Sequence, residues 1–248
     1  MLKHIAAICL CMGMIVSCQA QEPVKKTENP KMQSSDAGFP PDAAVRYDER
    51  SGAIFRLEGK NLSENLENDN SFQSLQSENR FSDIAIAFMS AHHSAFKLLR
   101  PSEELKVSSF NVEGSGQKHI RLSQIFEGIP VRAAEIIVHL NRSNQVCLVE
   151  GRYIPTPSGL SIRPLITDKE ALRKTAADLK QEDCPGCRSE LIIFSDTSVK
   201  SYLAYRVIAK PAWEYFIDAQ TGNILAKLST IRNFNPSPDP SPKRRGEY

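Results

Sequence analysis

Apolar and polar residues alternate most regularly between Lys118 and Pro155, and the pattern predicts three strands in series. Ile120, Leu122 and Phe126 alternate with His119, Arg121 and Ser123, the period of a half-buried strand. Glu127-Gly128 breaks the run. Pro130 fixes one backbone angle and removes a donor, which suits a sheet edge or a strand start. Glu135 to Leu140 is almost continuously apolar and β-forming, which predicts a strand covered on both faces. Asn141 to Asn144 is a turn, and Gln145 to Glu150 runs back as the third strand.

The rest of the chain alternates between the two periods. Val45 to Leu57 reads as strand, turn and strand, with Gly52 in the turn. Asn68 to Arg80 is polar and ends in a helix start. Phe81, Ile84, Ala85, Phe88, His92, Phe96 and Leu99 then recur at helical spacing, which predicts one long helix lying across a sheet. Arg100-Pro101 stops it, because the residue before proline is pushed out of the helical region. Leu105 to Val112 is a strand, and Glu113 to Gly116 is its turn. Thr167 and Glu170 form a capping box that opens a helix through Leu172, Ala176 and Leu179. Strands follow at Leu191–Phe194, Tyr202–Ile208 and Trp213–Ile217, then a tight turn from Asp218 to Asn223 and a return strand at Ile224-Leu225. The expected class is α+β, built as two small subdomains that each lay a helix on an antiparallel sheet.

The expected organisation is a signal peptide at 1–17, a disordered tether at 18–42, a first domain at 43–155, a linker at 156–166, a second domain at 167–233 and a disordered tail at 234–248. The linker rests on Pro155, Pro157, Gly159 and Pro164. Met1 to Cys18 has a basic start and an apolar core too short to span comfortably as a mature helix. Its end, Ile15-Val16-Ser17-Cys18, resembles a bacterial lipobox, which makes Cys18 an acylated first residue. The alternative is a plain secretory signal cut near Ala20. Either reading exports the chain, and the lipobox reading anchors it to a bacterial membrane.

The 248 residues carry a formal net charge of +2, which gives no argument for a nucleic-acid partner. Removing the signal leaves Cys147, Cys184 and Cys187, an odd count that suggests one bridge and one buried thiol. Cys184-Pro-Gly-Cys187 follows a predicted helix, so it meets the negative end of the helix dipole. A thiolate-activating site meets the positive end instead. A structural disulfide pinning the helix-to-strand turn is therefore expected. His92 and His93 point about 100° apart on a helix and are expected to sit at the core edge and in solvent.

The spacing of Gly128, Pro130, His139 and Gly151 within Phe-Glu-Gly-Ile-Pro-Val, Glu-Ile-Ile-Val-His-Leu and Val-Glu-Gly is similar to the propeptide of thermolysin-like and fungalysin-like metallopeptidases. The hairpin at Val45–Leu57 and the following Glu58-Gly-Lys-Asn-Leu62 add a second point of likeness. Asn141 and Asn144 stand where that family often has Asp and Gly, and Asn tolerates the left-handed conformation. Leu203 to Val207 and Trp213 to Leu225, with Asp218 and Gly222 in the turn, resemble the PepSY-type second half of the same propeptides. The likeness covers about 43–233 and implies a propeptide or cystatin-like fold.

In that family the prodomain acts as a folding chaperone and inhibitor of its enzyme. The resemblance thus implies a thermolysin-like metalloprotease as partner, bound in trans. Zinc chemistry of that kind needs two His one helical turn apart with a Glu between them. His4, His92, His93, His119 and His139 do not supply that motif, so catalysis, a metal and a cofactor are not expected of this chain. Two other readings stay open: the leading fragment of a protease precursor, and an extracytoplasmic thiol–disulfide protein using Cys184 and Cys187.

Overall fold

The computed structural model describes residues 38–209 and 212–230. Cys18, the expected signal, nearly all of the tether and the expected tail lie outside the described residues. The chain is α+β. β1 (Ala44–Tyr47) and β2 (Ile54–Glu58) form the first hairpin, followed by α1 (Asn70–Ser77), α2 (Phe81–Ala91) and the single turn α3 (Pro101–Glu104). β3 (Leu105–Val112), β4 (Lys118–Phe126), β5 (Ile129–Leu140) and β6 (Val146–Arg152) come next. The second half is α4 (Asp168–Asp178), β7 (Arg188–Ser195), β8 (Ser201–Ala209), β9 (Trp213–Asp218) and β10 (Ile224–Ser229).

The strands make one branched sheet in the order β1-β2-β6-β5-β7-β8-β9-β10, with β4 paired to β5 and β3 paired to β4. All pairings are antiparallel except the contact of β5 with β7, which is parallel through Val131 and Ile193. β5 is the fork. Its C-terminal half lies between β4 and β6, and its N-terminal part reaches β7. The switch falls at Ala133, whose φ of +51° is a left-handed conformation that a Cβ makes costly. The kink puts Val131 and Ala134 into the second hydrophobic cluster and leaves Ile136, Val138 and Leu140 in the first. Tyr153 packs against both clusters.

In the first cluster α2 lays Ile84, Ala85, Phe88 and Met89 on the sheet. The helix ends at Ala91, well short of Leu99. The His92 ring packs 4.7 Å from both Phe39 and Phe88, and Lys97 adopts a φ of +54° that no helix continues through. Phe96 is fully buried, so the helical spacing up to it reflects packing by a turn. Leu99 is 69% exposed and belongs to no core. α1 has no apolar stripe to reveal it and buries Phe72 alone; the Asp69 carboxylate caps it by accepting from the Ser71 N–H.

Buried polar side chains fasten the ends of the strands. Lys118 Nζ donates to the carbonyls of Asn141 and Arg142 and to Asn144 Oδ1 at 2.7–3.1 Å, and lies 5.2 Å from the centre of the Phe81 ring. Gln124 pairs with both backbone groups of Ile154 at the bulge in β4. The Glu104 carboxylate accepts the Leu99 and Arg100 N–H groups and the Thr156 hydroxyl, which binds the chain after β6 to the base of α3.

In the second half α4 starts at the expected capping box and packs on β7 and β8. Tyr215 and Lys227 both bond Asp178 at the end of α4. Arg132 on β5 and Arg206 on β8 share the Glu214 carboxylate. Burial alone would raise that carboxyl, but the two guanidinium groups outweigh it and hold it below the usual range.

Gly151 lies where β6 approaches the β5 backbone closely. A Cβ there would lie 2.1 Å from the Glu135 carbonyl oxygen, and its φ is +156°. Gly151→Ala is therefore expected to cost about 3 kcal/mol through overpacking and backbone strain, read as a lower urea midpoint with an unchanged m-value.

Candidate interaction surface

One face of the first half carries α2 and, among the described residues, the other carries no helix. The outward residues of β5 are half-exposed, so the strand is covered on one face and not on two as its apolar run suggests. Charged side chains cross that helix-free face as a ladder. Glu58 and Glu150 both pair with Arg56, Glu150 lies 3.6 Å from His139 Nε2, and His139 meets His119 Nδ1 to Nδ1 at 2.7 Å. His119 Nε2 then reaches Glu113 Oε1 at 2.8 Å. Arg121 and Glu135 form a separate pair beside it.

At the Nδ1–Nδ1 contact one imidazole donates and the other accepts. Burial, and then the neighbouring His119, push the His139 imidazole below its ordinary range, against the pull of Glu150.

Next to the ladder a groove opens on the same face. A cavity of about 670 Å³ is lined by Arg50, Phe55, Arg56, Ile137, Glu150 and Arg152, and a second of about 310 Å³ continues it towards Arg132, Tyr153 and the Asp196 loop between β7 and β8. Phe55 is 40% exposed because the β1–β2 pairing slips between Arg46 and Tyr47 and leaves it on a bulge. Arg152 forms no ion pair among the described residues. The groove thus offers an exposed aromatic, an unpaired guanidinium and a wall of charged side chains.

The residues singled out by the motifs are spread over the molecule. Gly128 sits at the tip of the β4–β5 hairpin with a φ of +83°, and Pro130 is the second residue of β5. His139 is on the ladder and Gly151 lines the groove. Asp218 closes the β9–β10 turn: its carboxylate accepts from Gln220 N–H and the Thr221 hydroxyl, and its carbonyl accepts from Gly222 N–H. Cys184 and Cys187 are joined by a disulfide between α4 and β7, with their Cα atoms 5.5 Å apart, and pack against the second cluster. Cys147 is a free, half-buried thiol, and burial raises its pKa. His92 lies against the core, and His93 Nδ1 meets the Leu98 carbonyl. Among the described residues no group of three or more His, Cys, Asp or Glu is placed to hold a metal ion, and no helix is long and apolar enough to cross a membrane. Sequence reasoning missed the groove. Its exposed aromatic comes from a bulge and its Arg side chains come from three separate strands and the β1–β2 turn, and neither has a periodic signal.

Residues 103–153 match the Fungalysin/Thermolysin Propeptide Motif, so the motif spans β3 to β6. The chain is 30% identical over 148 residues to Bacillolysin of Bacillus amyloliquefaciens, an alignment covering 54% of this chain and 28% of that protein. It is 27% identical over 131 residues to Bacillolysin of Brevibacillus brevis, covering 46% and 24%. With Neutral protease B of Bacillus subtilis (strain 168) it shares 26% identity over 158 residues, covering 58% and 29%. The chain therefore spans less than a third of the length of these relatives.

The His119–His139 pair generates a prediction. The folded pKa of His139 lies below the unfolded value of about 6.5, so its contribution to stability is full above that pH and is lost as pH falls through the folded value. The urea midpoint is expected to fall between pH 7.5 and 5.5, and His139→Gln is expected to flatten that fall.

Proposed function

We propose that this chain is a propeptide-like module that binds a thermolysin-like metalloprotease, inhibits it and assists its folding, and performs no catalysis of its own. The observation that carries the reading is the propeptide motif at 103–153, which coincides with β3 to β6, four of the strands that build the helix-free face. Relatives named as bacillolysins and a neutral protease support a protease as the partner. The PepSY-like reading of the second half extends the same assignment to residue 233. The reading holds whether the protease is a separate chain or joined to this one.

The groove supplies the physical basis. An extended or turn segment of the protease can seat an apolar side chain against Phe55 while its carbonyls or a carboxylate meet Arg152. Ion pairs already made along the ladder hold the lining side chains in place, which lowers the entropy lost on binding. An inhibitor needs only to occupy the enzyme's surface, and a folding assistant only to stabilise its native form by binding it.

The lipobox-like Ile15-Val16-Ser17-Cys18 supports an exported chain held at a membrane through Cys18, which places the module where an exported protease folds. Cys18→Ser is expected to move the protein from the membrane pellet to the soluble fraction; a chain that fractionates identically with and without Cys18 is not lipid-anchored there.

Titrating the chain into thermolysin-like proteases, and into their refolding mixtures, tests the main reading. Stoichiometric loss of protease activity and a higher refolding yield are expected. Phe55→Asp should weaken inhibition about tenfold, at the lower end of hot-spot losses, without moving the thermal midpoint. Neither inhibition nor refolding assistance with any of these proteases would overturn the assignment.

A further inference from the structure

A β-bulge gives β3 an apolar face that its own neighbours leave open. Regular alternation would put Val107 on one face of the strand and Phe110 on the other. The pairing with β4 slips between Val107 and Ser109, so Ser108 is the extra residue. Leu105 then lies opposite Gln124, Val107 opposite Leu122, Phe110 opposite Ile120 and Val112 opposite Lys118. All four side chains therefore share the face that carries α2. Leu105 is buried, while Val107, Phe110 and Val112 are 42%, 57% and 48% exposed. The Phe81 ring at the start of α2 reaches Phe110, with centroids 6.4 Å apart. Among the described residues β3 pairs with β4 alone, so its outer edge is open. Such an edge is a template for another strand.

We propose that a second copy of this chain fills it, β3 against β3, antiparallel about a two-fold axis normal to the sheet. The strand matches itself. Its apolar positions 105, 107, 110 and 112 are symmetric about the midpoint between Ser108 and Ser109. Reversing it sets Leu105 opposite Val112 of the second copy and Val107 opposite Phe110, so apolar meets apolar at every such position. Lys106 is the strand's single charge, and it falls opposite Asn111 on the other face, so no like charges meet. An axis normal to the sheet keeps both α2 helices on one side. The exposed apolar side chains of both copies then lie in a trough between the two helices, and the two sheets become continuous. The pairing is independent of the protease reading, because the groove lies on the helix-free face.

Sedimentation equilibrium of the full chain in density-matched detergent tests the proposal. A reversible dimer is expected, and Phe110→Lys should abolish it. Asn111 is exposed, so its substitutions leave the monomer's core untouched and probe the register itself. Asn111→Lys opposes Lys106 of the second copy and should weaken the dimer, and Asn111→Asp should tighten it, each by roughly two- to thirtyfold over the two symmetric contacts. A chain that stays monomeric up to about 1 mM, the weakest affinity that counts as association, overturns the proposal. So does a dimer whose constant neither Asn111 substitution moves.

Discussion

β5 has to serve three neighbours, and the architecture follows from how it does so. A strand has two edges, and between Glu135 and Leu140 β4 and β6 occupy both. A third partner can be reached only along the remaining length, and only if the strand changes direction first. Ala133 supplies that change in a left-handed conformation, and Gly151 lets β6 close directly beside it, where any side chain would meet the Glu135 carbonyl. Val131 is then free to pair with Ile193 and carry the sheet into the second half. Tyr153 and the Arg132–Glu214–Arg206 cluster reinforce the same junction from either side.

The distribution of helices decides what remains for recognition. α2 covers one face of the first half and α4 packs on the second. Among the described residues the opposite face of the first half is left without a helix, and charge pairs cross it. Its ladder from Glu58 to Glu113 is mostly half-exposed, so its net contribution to stability is small. Its larger effect is to fix side chains around the Phe55 groove. Two irregularities, the bulges at Phe55 and Ser108, account for most of the apolar surface that β2 and β3 leave in solvent. Surplus apolar surface at such defects of regular pairing is open to contact by another molecule.

Most of the elements were legible because their signals are local. Alternation placed β3 at its observed ends and brought β4, β6, β8 and β9 within a few residues. The Thr167–Glu170 capping box gave the start of α4, and the Asp218–Gly222 turn gave the β9–β10 hairpin. The propeptide-like spacing was legible too, and the family match at 103–153 falls inside it. What escaped depends on distant parts of the chain. α2 stops at Ala91 and Lys97 turns left-handed, while the His92 ring packs on Phe39, more than fifty residues away. The apolar run at Glu135–Leu140 suggested two covered faces, although no helix among the described residues lies on the second. Gly151 and His139 were singled out as motif residues, but the close approach that requires the one and the His119 contact that holds the other exist only once β4, β5 and β6 are aligned.

Native-state hydrogen exchange tests the shared strand most directly, by comparing the amides of Ile136 and Val138 on β5 with those of Leu203 and Val207 on β8. If the fork at Ala133 and Gly151 makes the two clusters one cooperative body, both sets should exchange at the same opening free energy, within about 0.5 kcal/mol. Exchange of the β8 amides through a separate opening cheaper by more than about 2 kcal/mol would show that β5 does not couple the halves.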